Sequence, residues 1–169
     1  FSRIYDGGEW LCGYEARSGI GSRRATTRGF RDFLEAFLRE NGITSVVDAG
    51  CGHWPSGYQR FMNWQGVRYH GLDIVQSVVD DNAAFVSDPM VLETAGLSSA
   101  RFDVNDATAC LPAADLLLVK DVLMHLPTSA VQEFLHNNID AASPRHRFVL
   151  LVQNEVPRSM NLRTMTDIE

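Results

Sequence analysis

Several features are scarce in this 169-residue sequence, and each scarcity excludes a class of protein. No apolar run approaches the roughly 18 residues of a transmembrane helix, and the opening FSRIYDGGEW lacks the pattern of a signal peptide. The three cysteines, Cys12, Cys51 and Cys110, are too far apart for a paired metal motif, and the five histidines lack the spacing of zinc ligands. We therefore expect no metal site, no membrane association and no disulfide framework, as in a cytoplasmic protein with reduced thiols.

Positive charge is also scarce. The chain has 15 Lys and Arg against 21 Asp and Glu, a formal net charge of −6, which disfavours binding to the phosphate backbone of nucleic acids. Despite the negative net charge, five arginines are clustered between residues 17 and 31. Such a cluster is usually the solvated face of a helix, and the alternative is contact with an anionic substrate.

Helical and strand patterns alternate along most of the chain, whose length suits one domain. The helical patterns cover residues 23–40, 58–64 and 75–86, and a further helix begins at Pro127-Thr128-Ser129, where Ser129 and Gln132 form a capping box. The strand patterns cover residues 44–48, 67–73, 101–104, 114–120 and 147–152. This alternation predicts a Rossmann-like α/β fold: a mostly parallel, doubly wound sheet with helices on both faces.

Two further expectations concern domain organisation. Residues 1–22 are rich in glycine yet contain apolar side chains, and we expect them to fold as a lid over a binding site. Residues 23–169 form the core, whose tail after Gln153 contains no further strand pair. We therefore expect the core to be incomplete at its C-terminal end.

The first strand pattern ends in a glycine-rich turn, Asp48-Ala49-Gly50-Cys51-Gly52. Glycines let a ligand approach the backbone, and an acid at the end of a strand can hold a cationic amine. Asp73 lies 21 residues after Gly52 and closes the second strand, where a carboxylate can accept ribose hydroxyls. The combination predicts a cofactor that contains adenosine, although the two glycines alone could serve only a tight turn.

The residues around this turn help to choose the cofactor. Pro55 stands where the dinucleotide fingerprint G-x-G-x-x-G needs its third glycine, and no G-x-x-x-x-G-K-[ST] motif occurs. An acid before the glycines, without a phosphate cradle, suits S-adenosylmethionine, whose methionine end carries an ammonium group. Cys51 is expected to be a small packed residue rather than a nucleophile, and His70 a structural histidine.

Four segments, VVDAGCG, YHGLDIV, FDVNDAT and DLLLVKDVLMHLP, occur in the order of motifs I to IV of class I S-adenosylmethionine-dependent methyltransferases. The chain resembles most a bacterial group that combines an upstream Trp, an SGxGS segment, a D-x-x-CGD-type first motif and an RDVLxHL-type fourth motif. The equivalents here are Trp10, residues 18–22, residues 48–52 and residues 120–126. The resemblance covers about residues 10 to 153.

The resemblance implies a strand order of 3-2-1-4-5, with the last strands of the family's sheet missing, and methyl transfer to a small-molecule acceptor. It places the first motif at the methionine end of the cofactor, the second at the ribose and adenine, the third beside the adenine and Lys120 at the floor. The implied cofactor residues are Asp48, Gly50, Cys51, Gly52, Asp73, Ile74, Asp106, Ala107 and Lys120. Trp54 replaces a third glycine and Lys120 replaces an Arg of the group.

Asp121 and His125 are the candidate catalytic residues. They lie four positions apart and share a face if a helical turn follows the fourth strand, so they could act as an acid–base pair on the acceptor. Alternatively, His125 only caps or packs the turn before Pro127. Two other functions stay open: a non-catalytic S-adenosylmethionine-binding or regulatory domain of the same fold, and a nicotinamide-dependent oxidoreductase, which Pro55 disfavours.

Overall fold

The computed structural model describes residues 17–140 and 144–153, which form a five-stranded sheet of order β3-β2-β1-β4-β5. All neighbouring strands are parallel: β1 (Ser45–Ala49), β2 (Arg68–Asp73), β3 (Ser99–Val104), β4 (Ala114–Lys120) and β5 (His146–Val152). The helices are α1 (Arg28–Glu40), α2 (Gln76–Val86), α3 (Pro89–Ala95) and α4 (Thr128–Asn138). The predicted α/β fold and strand order are confirmed. Within the described ranges, no helix is long and apolar enough to cross a membrane.

The core has two parts, one on each face of the sheet, because consecutive strand residues point to opposite faces. On one face, Val46 and Leu116 pack with Leu34 of α1 and with residues of α2 and α3. On the other face, Leu117 packs with Phe134 of α4. Burial on both faces explains why β4 is a continuous apolar run rather than an alternating one.

The segment between β1 and β2 differs from the prediction. Residues 58–64 were expected to form a helix, but the chain forms two 3₁₀ turns, Trp54–Ser56 and Tyr58–Phe61. The indole of Trp54 is fully buried, stacks on Trp64 with ring centroids 5.9 Å apart and meets Tyr69 edge-on at 4.9 Å. Burial of this aromatic cluster fixes the path of the loop and replaces a regular helix by short turns.

Two helix boundaries also need correction. The helix predicted from Arg23 begins at Arg28, because residues 20–22 form a 3₁₀ turn and residues 23–27 form further turns. The capping box of Ser129 and Gln132 is wrong: α4 begins at Thr128, so its N-cap is Pro127, two positions before Ser129, and no side chain caps it.

Helix α3 was not predicted, although its ends carry ordinary signals. Asp88 accepts a hydrogen bond from the Met90 N–H at 2.9 Å, and Pro89 occupies the first turn. Gly96 ends the helix with a left-handed φ of 64°. The predictions for Trp10 and for the tail beyond Gln153 concern residues outside the described ranges.

Candidate functional site

A pocket of about 890 Å³, partly open to solvent, lies at the carboxyl ends of β1, β2 and β4. Its position is the switch point of the sheet, where ligands of such folds bind. Every residue predicted to bind cofactor or to act in catalysis lines this one pocket: Asp48, Gly50, Cys51, Gly52, Asp73, Ile74, Asp106, Ala107, Lys120, Asp121 and His125.

The turn after β1 requires its glycines. Gly50 has φ 75° and Gly52 has φ 64°, both in the left-handed region that side chains disfavour. The N–H groups of Gly50 and Cys51 both donate to the carbonyl oxygen of Leu72, at 2.8 and 2.9 Å. A Cβ on Gly50 would lie 2.3 Å from Cγ2 of Val122, so a glycine also allows the turn after β4 to approach.

The carboxylate of Asp73 explains the spacing of 21 residues, because it contacts the glycine turn directly. Its Oδ2 accepts a hydrogen bond from the Gly52 N–H at 3.0 Å, and its Oδ1 accepts one from the Val75 N–H, also at 3.0 Å. Burial raises the pKa of Asp73 above its usual value. A carboxylate oxygen has two lone pairs, so each oxygen can still accept a ligand hydroxyl.

Asp48 is the most deeply buried acid of the pocket, with 1% of its surface exposed. The Tyr69 hydroxyl donates a hydrogen bond to its Oδ2 at 2.5 Å. Burial raises the pKa of Asp48 to about 7, against the opposing effects of the Tyr69 hydrogen bond and the Lys120 charge. Asp48 therefore changes its charge near neutral pH.

Lys120, the last residue of β4, lines the pocket, and its expected place at the floor stays a prediction. Its ammonium donates to the carbonyl oxygen of Gly21 at 2.9 Å and pairs with the carboxylate of Asp121. It also lies 5.5 Å from the ring centroid of Tyr58 and 5.8 Å from that of Phe30. The side chain thus ties the end of β4 to the segment before α1.

The candidate catalytic residues lie on the β4 side of the pocket. Asp121 adopts φ 56°, an uncommon conformation outside glycine, and its N–H donates to the carbonyl oxygen of Val152 at 2.8 Å. A 3₁₀ turn, Leu123–His125, then brings His125 to the same pocket. Both predicted residues therefore lie at one site, and their roles in catalysis stay a prediction.

The side of the pocket beyond β2 carries the expected adenine residues. Ile74 is half exposed, although it is apolar. Asp106 forms a local turn in which its Oδ1 accepts hydrogen bonds from the N–H and hydroxyl of Thr108, at 2.9 and 3.0 Å. Ile74 and Asp106 both line the pocket, and their contact with an adenine stays a prediction.

Five residues of the pocket wall were not predicted as site residues: Tyr58, Gln59, Asn105, Val122 and Leu126. Ser18 and Ser22, which belong to the expected lid, also line the pocket. Asn82 of α2, which is fully buried, was not predicted either. Asn82 Oδ1 accepts a hydrogen bond from the Trp54 N–H at 2.7 Å, and its Nδ2 donates to the Gly52 carbonyl at 2.8 Å. This amide holds the loop in which Trp54 replaces the expected glycine. An asparagine within an amphipathic helix pattern was the available signal.

The described part of the expected lid contacts the rim of the pocket. Ser18 Oγ accepts a hydrogen bond from the His53 N–H at 2.8 Å, and the Arg17 N–H donates to Ser56 Oγ at 3.0 Å. The Arg17 guanidinium also pairs with Asp81 at 2.6 Å. Residues 1–16 of the predicted lid lie outside the described ranges.

Neither Cys51 nor His70 was expected to act in catalysis. Cys51 is 3% exposed, and burial raises the pKa of its thiol well above the usual value, which disfavours the reactive thiolate. His70 contacts Asp103 through Nε2 at 2.7 Å and Arg101 through Nδ1 at 3.0 Å, outside the pocket.

No family model and no curated protein matches this chain. Solved structures do match. The methyltransferase domain of bacterial CtHen1 has a TM-score of 0.54 and 16% identity over 70% of this chain and 62% of that one. The O-methyltransferase of a Brevibacillus brevis trans-AT polyketide synthase multienzyme, in complex with S-adenosyl-L-homocysteine, has a TM-score of 0.52 and 15% identity over 90% and 48%.

The mitomycin 7-O-methyltransferase MmcR has a TM-score of 0.50 and 18% identity over 75% of this chain and 37% of that one. The present chain thus spans less than two thirds of the length of each of the three structures. At these identities the similarity establishes the fold, which is that of class I methyltransferases.

Proposed function

We propose that the chain is an S-adenosylmethionine-dependent methyltransferase that transfers a methyl group to a small-molecule acceptor. One observation carries the proposal: the carboxylate of Asp73, at the end of β2, lies directly on the glycine turn that follows β1. An acid fixed against a glycine turn at the switch point of the sheet is suited to an adenosine-containing cofactor. The methyltransferase neighbours, one of them in complex with S-adenosyl-L-homocysteine, support the same conclusion.

The chemistry of the pocket fits this cofactor. S-adenosylmethionine supplies an activated methyl group on a positively charged sulfur and carries an ammonium group, a ribose and an adenine. In this proposal Asp73 accepts the ribose hydroxyls, and Ile74 and Asp106 contact the adenine; all three residues line the pocket. In this proposal Asp48 and the backbone of Gly50 hold the methionine end, because the buried carboxylate of Asp48, which lines the pocket, favours a cation.

The segment after Gly52 weighs against a dinucleotide. Pyrophosphate sites in such folds use the N-terminus of the helix that follows the glycine turn. Here the turn is followed by the 3₁₀ turn Trp54–Ser56, which contains Pro55, so no α-helix presents its N–H groups there. The nicotinamide-dependent alternative therefore loses its main structural requirement.

The contribution of the protein to methyl transfer is mainly orientation of the two reactants, an effect that can supply roughly 7–11 kcal/mol of a barrier. Lys120 and the 17–22 segment close one side of the pocket. Asp121 and His125 face the acceptor in this proposal and remove a proton only if the acceptor atom carries one. The role of residues 1–22 as a lid that excludes water stays a prediction.

Calorimetry with S-adenosylhomocysteine, NAD and ATP tests the proposal. We expect S-adenosylhomocysteine to bind most tightly, and Asp73→Asn to weaken it by about 1.5–3 kcal/mol, the usual loss of hydrogen bonds to a charged group. Asp103→Asn is the matched control, because this acid lies on the adjacent strand, bonds to His70 and does not line the pocket.

The control variant should bind like the wild type. Equal or tighter binding of NAD, or an Asp73→Asn variant with unchanged affinity, would contradict the proposal. Binding of S-adenosylhomocysteine without methyl transfer to any acceptor would instead favour a regulatory domain.

A further inference from the structure

The hydroxyl of Tyr58 is a buried polar group of the pocket that the proposed cofactor contacts do not use. Tyr58 is 2% exposed and lines the pocket, and its hydroxyl has no hydrogen-bond partner among the described residues. Buried polar groups almost always have a partner, and an unpaired one calls for an explanation. A ligand in the pocket would supply the missing partner.

The ring of Tyr58 is held in place, so the hydroxyl cannot easily turn towards another partner. Phe30 meets the ring edge-on, with centroids 5.4 Å apart at 75°. The Lys120 ammonium lies 5.5 Å from the ring centroid. Contacts of these two kinds fix aromatic rings in proteins.

The surroundings of the hydroxyl are acidic. Burial raises the pKa of Tyr58 well above its usual value, and the charges of Asp48, Cys51 and Asp121 raise it further. Asp48 lies near the end of β1, Cys51 follows that strand, and Asp121 follows β4. These three residues line the same pocket as Tyr58.

The charges in this part of the pocket select the kind of ligand group. The ammonium of Lys120 is already engaged by Asp121 and by the Gly21 carbonyl. The carboxylate of Asp48 accepts a hydrogen bond from the Tyr69 hydroxyl and interacts with the Gln59 side chain, and its two oxygens have further lone pairs. A cation placed here is stabilised by nearby negative charge and by the phenolic oxygen, whereas an anion is repelled.

We propose that the Tyr58 hydroxyl and the Asp48 carboxylate together form a subsite for a cationic group of the ligand. The inference rests on the proposed function, in which the cation is either the ammonium or the sulfonium of S-adenosylmethionine. It makes Tyr58 a binding residue that selects for charge at the methionine end of the cofactor.

Three probes separate the two cations. Methylthioadenosine has neither cation, S-adenosylhomocysteine has the ammonium, and S-adenosylmethionine has both. Calorimetry at pH 8, where Asp48 is ionised, should show that Tyr58→Phe binds methylthioadenosine like the wild type. S-adenosylmethionine should bind about 10- to 100-fold more weakly, the value of a hydrogen bond to a charged group. An equal loss for S-adenosylhomocysteine assigns the ammonium, and no loss for it assigns the sulfonium.

Thermal unfolding of the ligand-free protein distinguishes a binding role from a structural one. Tyr58→Phe should leave the Tm unchanged or raise it, because the variant removes an unpaired hydroxyl. Tyr69→Phe is the control and should lower the Tm, because that hydroxyl donates to Asp48. Asp48→Asn provides a second test of the subsite that does not alter Tyr58, and it should show the same pattern among the three probes.

An equal loss of affinity for all three probes, or no loss for any of them, would overturn the subsite. In that case, the proposed function would still stand if the wild-type protein binds S-adenosylhomocysteine. A wild-type protein that binds none of the three probes would overturn both proposals together.

Discussion

Replacement of Gly50 by alanine tests how the cofactor turn and the β4 turn depend on each other. Two penalties follow from the structure. First, Gly50 has φ 75°, where a Cβ costs about 1–2 kcal/mol. Second, the new Cβ would lie 2.3 Å from Cγ2 of Val122, and overpacking of this kind costs typically about 1–3 kcal/mol. The free energy of unfolding should therefore fall by about 2–5 kcal/mol.

Urea denaturation of four proteins separates the two penalties. Gly50→Ala, Val122→Ala and the double variant form a cycle with the wild type. Removal of the Val122 methyl groups relieves the overlap but not the backbone strain. The loss of unfolding free energy in the double variant should therefore be smaller than the sum of the two single losses by about 1–3 kcal/mol. Gly29→Ala is the control, because a Cβ there meets nothing within 4 Å and the residue lies in α1.

The control should be at least as stable as the wild type, since alanine favours helix more than glycine does. A Gly50→Ala protein as stable as the Gly29→Ala protein would refute the reasoning. If the losses of unfolding free energy in the two single variants add up to that of the double variant, the backbone conformation, and not Val122, requires glycine at this position.

Two further predictions concern ionisable residues of the pocket. Because burial raises the pKa of Asp48 from 3.8 to about 7, the folded protein keeps a proton that the unfolded chain loses. The contribution of Asp48 to the free energy of unfolding should therefore fall as pH rises from about 4 to 7, by at most about 1.4 kcal/mol per pH unit, and urea titrations of the wild type and of Asp48→Asn should differ by this slope. If Asp121 and His125 act on the acceptor, Asp121→Asn and His125→Ala should lower turnover by roughly 10²- to 10⁴-fold at constant cofactor affinity. Unchanged turnover per folded molecule, with a lower Tm, would instead assign both residues a structural role.

The fold could be predicted because its signals are local. Residues 114–120 form a continuous apolar run, which is typical of a strand buried on both faces of a sheet. In the structure, β4 has these same bounds. The ends of parallel strands meet at one edge of the sheet. For this reason, residues chosen at three strand ends, such as Asp48, Asp73 and Lys120, line one pocket although they are far apart in the chain.

The loop after Gly52 could not be predicted because its conformation depends on distant partners. Trp54 is held by the side chain of Asn82 and by the rings of Trp64 and Tyr69. Each of these contacts joins a different element of the chain. A local pattern of apolar residues at 58–64 therefore suggested a helix, whereas tertiary packing selects two 3₁₀ turns. The same loop carries Tyr58, so the residue of the proposed cation subsite was missed for the same reason.

The contacts between the strand ends make the pocket a coupled unit. Asp73 holds the turn at Gly52 across 21 residues, and Lys120 holds the carbonyl of Gly21 across 99 residues. Val122 fills the space above Gly50 that any side chain there would need. Because each turn is fixed by another, the groups that face a ligand are already positioned before it binds. Preorganisation of this kind lowers the cost of orienting two reactants, which is the main demand that methyl transfer makes on a protein.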